Sequence, residues 1–194
     1  MQKQLKLLLG TASPRRQSLL QEMGFSFKKV TIDCEEVYPK DLAPSKVAGY
    51  LAELKAGCFR ELQSNEVLLT ADTIVALEDE ILGKPINAAE AENMLSSLSG
   101  KKHQVYTSFS LKTNDSSKTF TDFAEVEFLD ISPEEIEYYI TCCQPFDKAG
   151  SYGIQEWLGM TKIKSLQGSY YTIMGLPCHL VYSKLVQLGF TFSK

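Results

Sequence analysis

In the run Leu68-Leu69-Thr70-Ala71-Asp72-Thr73-Ile74-Val75, Asp72 is the single ionisable side chain. A carboxylate placed in a buried strand is costly unless it is paired, metal-bound or protonated. Asp72 is therefore the chain's leading candidate for a functional acid, one that holds a metal or activates water. A basic cluster supplies the opposite charge. Ser13-Pro14-Arg15-Arg16 follows the apolar run Leu5-Lys6-Leu7-Leu8-Leu9-Gly10 and precedes a helix-like stretch from Gln17 to Met23. Ser13 can cap that helix and Pro14 can take its first position, which leaves two guanidinium groups in the first turn. Helix N-termini favour negative charge, so the pair is unfavourable there unless an external anion arrives. A capped helix with solvated arginines is the alternative, and these residues alone do not choose between the two.

Further exceptions to the apolar pattern carry the same question. Lys55 shares a helical stripe with Val47, Leu51, Cys58 and Leu62, from which a lysine either snorkels to the rim or points into a cleft toward an anion. In Gly83-Lys84-Pro85, the proline biases Lys84 toward an extended backbone. The segment from Asp147 to Glu156 is rich in small residues. It lets backbone approach a ligand while Gln155 reads hydrogen-bonding edges, or it forms a plain turn. Asp33, Glu35 and Glu36 cluster after a strand, where they are solvated or offer oxygen ligands to Mg²⁺. One scheme absorbs them all: Arg15, Arg16, Lys55 and Lys84 neutralise a polyphosphate, while Asp72 and a nearby acid hold a metal or activate water. Neither a Walker-type loop nor a GxGxxG loop is present, so side chains must grip the phosphates.

The elements that position these residues follow from periodicity. Strands are expected at Leu5–Leu9, Phe27–Ile32 and Glu66–Leu77, with the Ser13-capped helix through Gln17–Met23 between the first two and a further helix from Pro44 to about Leu62. Asn87 with Glu90, and Ser132-Pro133 with Glu135, are capping signatures for helices ending near Leu98 and Cys143. Gln104–Lys112 and Lys118–Leu129 flank the polar turn at Asn114-Asp115-Ser116-Ser117 and read as a hairpin. Strands near Met160–Ile163 and Tyr170–Met174 and a helix from His179 to Leu188 complete the chain. Hairpins beside strand–helix units imply an α/β fold on a mixed sheet.

Composition narrows the function. The 194 residues suffice for one domain, and 44% hydrophobic with 23% charged content is ordinary for a globular chain. A net charge of -4 disfavours a broad nucleic-acid surface but permits a local basic pocket. The five cysteines show no paired CxxC spacing and read as reduced, mostly buried thiols. His103 and His179 are the two histidines, too few for a His-rich metal centre, and no GxSxG elbow accompanies them. No apolar stretch reaches membrane-spanning length, and Met1-Gln2-Lys3-Gln4 does not open a secretory leader, so a cytoplasmic protein is expected.

The ordered blocks Ala12-Ser13-Pro14-Arg15-Arg16-Gln17, Leu51-Ala52-Glu53-Leu54-Lys55-Ala56, Ala71-Asp72-Thr73-Ile74-Val75, Gly83-Lys84-Pro85, Leu98-Ser99-Gly100, Asp147 through Gln155 and Gly175-Leu176-Pro177 resemble the Maf family of nucleoside triphosphate pyrophosphatases. The resemblance implies a single domain over residues 1–194 with an elongated, mixed α/β sheet similar to that of the inosine triphosphate pyrophosphatases, two lobes with a central cleft, and a homodimer. The Asp-Lys-Ala-Gly-x-Tyr-Gly-Ile-Gln form resembles the branch acting on dTTP and UTP. By that resemblance Asp72 is the proton acceptor, and Arg15, Thr73 and Gln155 bear on nucleotide choice. Lys55 and Lys84 join Asp72 as catalytic groups, Ser13 and Arg16 join the substrate-binding set, and Asp72, Glu35 and Glu36 are the candidate ligands for Mg or Mn. The alternative is a nucleotide-binding regulator of cell division and septum formation with little turnover. A phosphatase releasing orthophosphate is a further rival.

Overall fold

The structure, a computed structural model, describes residues 5–192; the expectation for Met1–Gln4 lies outside them. The chain runs β1 (Lys6–Gly10), α1 (Pro14–Glu22), β2 (Lys28–Lys29), α2 (Pro44–Cys58), β3 (Glu66–Leu77), β4 (Glu80–Leu82), α3 (Ala88–Leu98), β5 (Lys102–Lys112), β6 (Ser117–Phe128), α4 (Pro133–Cys143), α5 (Trp157–Lys162), β7 (Ile163–Gln167), α6 (Tyr170–Met174) and α7 (Cys178–Gln187), with two short 3₁₀ turns at Pro145–Asp147 and Ala149–Ser151. Seven strands form one sheet in the order β2-β1-β3-β5-β6-β7, with β4 paired to β3. β1 runs parallel to β2 and to β3, whereas β4 is antiparallel to β3 and β7 to β6. The fold is thus mixed α/β, as the combination of hairpins and strand–helix units predicts. β3 is buried along its length except at Thr73, as expected for a strand flanked on both edges and covered on both faces.

The chain divides into two compact units. The first comprises the chain up to Asp72, Thr107–Asp122 and the chain from Gly175 onward; the second comprises Thr73–Tyr106 and Phe123–Met174. In the first, Leu8, Ala56, Leu62 and Leu68 form a buried cluster with Val30, Ile32 and Phe59 packed against it. In the second, Leu95 and Leu98 of α3 and Ile136 and Tyr139 of α4 pack with Val126, Phe128 and Leu158. The i, i+3 spacing of those helix pairs is the apolar stripe that each sequence displays.

Several boundaries differ from expectation. Only Lys28–Lys29 pairs as β2, although Val30 N still donates to Leu9 O at 3.0 Å, so the next residues run on beside β1. α2 stops at Cys58 rather than near Leu62, because Phe59 turns extended and delivers Leu62 to the core. The strand expected at Met160–Ile163 is α5, with β7 beginning at Ile163, and the strand expected at Tyr170–Met174 is α6. There the aromatic and β-branched residues suggest a strand. Gly168 at φ 111 instead turns the chain out of β7, and Thr172 N closes a turn on Ser169 O at 3.1 Å, burying Thr172. The cysteines are free, but Cys58 and Cys142 are exposed and the other three half-buried, against the expectation of burial.

Candidate active site

The first unit builds a charged cluster from three segments. Ser13 caps α1 as its sequence predicts: its backbone is extended, and its Oγ accepts from Arg16 N at 3.4 Å. Pro14 occupies the first turn and removes a donor that had no intrahelical partner. Arg16 then leaves the helix sideways. Its Nε donates to Gly175 O at 2.7 Å and its Nη1 to Ala71 O at 2.8 Å. The guanidinium therefore clamps the backbone next to Asp72. Burial lowers the Arg16 pKa, the charge of Asp72 opposes that shift, and neighbouring Arg15 adds to it. Arg15 follows Pro14 in the same first turn, half-buried.

Asp72 is paired. Lys55 Nζ reaches its Oδ1 at 2.6 Å and Glu36 Oε2 at 2.9 Å. The side chains of Lys55 and Asp72 are only 13% and 12% exposed, whereas Glu36 is 48% exposed. The lysine on the apolar stripe thus turns inward to an acid rather than snorkelling to water. Local packing explains its aim: Thr70 Oγ1 donates to Ala52 O at 2.6 Å, which fastens β3 to α2 one turn before Lys55. Glu36 arrives on the segment that follows β2 along β1. Gly10 leaves room for that approach: a Cβ there would stand 2.3 Å from Ile32 Cδ1 and oblige that side chain to move.

The structure separates acids that the sequence left together. Glu36 reaches Lys55, whereas the Glu35 side chain is exposed. Among the described residues no group of three or more His, Cys, Asp and Glu side chains is placed to hold a metal ion. The donor set still fits a hard divalent cation shared with substrate. Asp72 and Glu36 converge on one ammonium, and Mg²⁺ is commonly held by one or two carboxylates plus phosphate oxygens and water. Cysteine and histidine chemistry find no footing here. Burial and the neighbouring Cys58 thiol push the Cys34 thiol up to about 11, far from a thiolate at neutral pH. His103 lies in the core of the second unit with Nε2 2.8 Å from Tyr152 Oη, and His179 is exposed.

The second unit carries Thr73, Lys84 and Gln155. Lys84 is exposed between Gly83 and the buried Pro85. Gly150 N donates to Gly83 O at 3.0 Å, so the small-residue loop holds the lysine's segment in place. Gly150 is required twice over: its φ is 67°, and a Cβ would lie 3.0 Å from Val75. Gln155 is exposed between the buried Ile154 and Glu156. Sequence reasoning missed the groups around it. Lys148 Nζ, on a buried side chain, meets Asp147 Oδ1 at 2.6 Å and Glu156 Oε1 at 2.9 Å, while Tyr139 Oη donates to Glu156 Oε2. The available signal was Tyr139 on the apolar face of α4 beside Ile136 and Ile140, with a hydroxyl needing a partner.

The fold places the chain among α/β proteins of known architecture. It is similar to a HAM1 protein from Coxiella burnetii, at a TM-score of 0.52 and 12% identity, covering 94% of this chain and 99% of that one. A Ham1 protein of Staphylococcus aureus gives the same TM-score and coverage at 14% identity. The Maf-like protein family model matches residues 6–188, and the chain belongs to that family. It is 45% identical over 185 residues to a dTTP/UTP pyrophosphatase of Bacteroides thetaiotaomicron, covering 94% of this chain and 96% of the relative. It is 44% identical over 191 residues to the dTTP/UTP pyrophosphatase of Porphyromonas gingivalis, covering 96% of each.

Proposed function

We infer that the protein is a nucleoside triphosphate pyrophosphatase that hydrolyses dTTP and UTP to the nucleoside monophosphate and pyrophosphate. The observation that carries this reading is the buried pair of Asp72 and Lys55, beside an α1 N-terminus loaded with Arg15 and Arg16. It is supported by the names of relatives more than 40% identical over nearly the whole chain.

Asp72 acts as proton acceptor for a water that attacks the α-phosphorus, and the bond to the bridging oxygen breaks as pyrophosphate leaves. Lys55 orients Asp72 and offsets charge on the phosphates. The Ser13 hydroxyl, Arg15 and Arg16 bind phosphate oxygens at the helix N-terminus, and their positive field stabilises the departing group. Asp72 and Glu36 are the residues that would hold Mg or Mn, with Glu35 as a further candidate close by in sequence. The chemistry such a cation would supply, when bound, is polarisation of the phosphoryl oxygens and neutralisation of charge on the leaving pyrophosphate. Lys84 as a catalytic cation, and Thr73 and Gln155 as determinants of nucleotide choice, follow from the resemblance. So do modified pyrimidine triphosphates as further substrates, action as one domain, a homodimer and a cytoplasmic setting. Among the described residues no helix is long and apolar enough to cross a membrane.

Product analysis with Mg²⁺ and Mn²⁺ tests the reading. Pyrophosphate and monophosphate in equal amounts are expected, and Asp72→Asn should lower turnover at least ~100-fold without loss of fold. Orthophosphate as the first product would replace this reading with a phosphatase, and tight binding of intact triphosphate would replace it with a nucleotide-binding regulator.

A further inference from the structure

The segment around Gln155 is braced to a degree that an ordinary exposed turn does not require. We propose that Tyr139 is a positioning residue for nucleotide choice: its phenol oxygen ties the residues on both sides of Gln155 and fixes how that amide is presented to the base. This rests on the reading of Gln155 given above.

Tyr139 Oη accepts from Gly153 N at 3.0 Å and donates to Glu156 Oε2. One oxygen thus joins the residue two before Gln155 to the residue immediately after it. Glu156 N closes the same span on Gly153 O at 3.0 Å. The second Glu156 oxygen is held by Lys148 Nζ at 2.9 Å, and that ammonium is also held by Asp147 at 2.6 Å. Ile154 is buried, and α5 packs so closely behind it that a Cβ on Gly159 would stand 1.9 Å from Ile154 O. Within 153–156, Gln155 alone has an exposed side chain.

The energetic logic is preorganisation. An amide that reads a base edge gains discrimination only if its backbone does not shift to suit the wrong base, because an unpaired polar group then carries its full cost. Tyr139 is fully buried, and burial together with the Glu156 carboxylate raises its pKa well above the ordinary phenol value. It therefore remains a neutral donor throughout the working pH range. A brace of this kind around a residue of no consequence would contribute to stability alone; around a base-reading residue it contributes to selectivity as well.

The test compares the parent, Gln155→Ala, Tyr139→Phe and the double variant, each assayed for kcat and KM with dTTP and with dCTP. These two bases differ in the donor and acceptor at the ring's 4-position. Tyr139→Phe keeps the ring and removes the oxygen. The expected result is a dTTP-over-dCTP preference in kcat/KM reduced about 5–10-fold, the lower end of what one bidentate side-chain–base contact discriminates, with kcat for dTTP within about 3-fold of the parent. No further loss should appear when Tyr139→Phe is added to Gln155→Ala. Glu156→Gln, which keeps the shape, should shift the preference in the same direction by a smaller factor and serves if Tyr139→Phe folds poorly. A preference lost in Gln155→Ala but retained in Tyr139→Phe and Glu156→Gln overturns the proposal while sparing the reading of Gln155. An equal fall for both nucleotides also overturns it, since that is what mere destabilisation produces. A preference unchanged in Gln155→Ala removes the reading of Gln155 and the proposal with it.

Discussion

Asp72 and Lys55 form a unit whose members cannot be judged singly. Removing Lys55 strands a carboxylate that is only 12% exposed, and breaking a buried ion pair from one side is costly. Lys55→Met should therefore lower stability by about 3 kcal/mol as well as abolish turnover, whereas Lys55→Met with Asp72→Asn should recover much of that stability and none of the turnover. Denaturant midpoints for the four proteins of the cycle decide it. Arg16→Lys tests the clamp on Ala71 and Gly175, since an ammonium cannot reproduce a planar fork. A fall of about 10–100-fold in kcat is expected if the clamp serves Asp72's position, together with a rise in KM from the weakened grip of Arg16 on phosphate. At this scale much was legible: an acid in an apolar strand and a lysine on an apolar stripe are local contradictions that their pairing resolves, and Arg16 of the first turn turns to the carbonyls of Ala71 and Gly175. The choice of Glu36 over Glu35 was not, because neighbouring residues in an irregular segment carry no period that says which one turns inward.

Elements announced themselves where capping chemistry or long periodicity was present. Ser132 and Glu135 form the reciprocal capping box that their spacing predicts, Asn87 caps α3, and β3 spans the expected Glu66–Leu77. Ser132→Ala should cost about 1 kcal/mol, read from the thermal midpoint. Short elements late in the chain were misread, since five or six residues of mixed propensity follow their surroundings rather than themselves. The loop at Gly150 shows the same dependence on context. Gly150→Ala introduces a Cβ at 3.0 Å from Val75 on a left-handed backbone whose amide holds Gly83. It should destabilise by about 1–3 kcal/mol and depress activity further than a substitution at the exposed Gln167 of equal stability cost. Equal activity in the two would uncouple this loop from Lys84.

For the whole molecule, His103 and Glu66 set limbs of the acid tolerance. Burial holds the His103 pKa down to about 4. The unfolded chain takes up a proton near pH 6.5 and the folded chain does not until about pH 4, so stability is full above 6.5 and falls through that window. Urea titrations at several pH values should show this slope, and His103→Gln should flatten it. Glu66 adds a second, more acidic limb: hydrogen bonds from Arg60 and the Gln63 amide hold its pKa near 2, so its contribution persists above pH 4.5 and is lost as pH falls toward 2. Because Arg60 is half exposed, salt should weaken this limb more than the histidine one.

The clamp from Arg16 to Gly175 also has a temporal side. The first unit draws on three separated stretches, the last of which starts at Gly175, so a nascent chain cannot finish the surroundings of Asp72 until that late stretch has emerged from the ribosome. Asp72 is translated early and its surroundings close last, so a chain ending before Gly175 lacks the carbonyl on which Arg16 anchors.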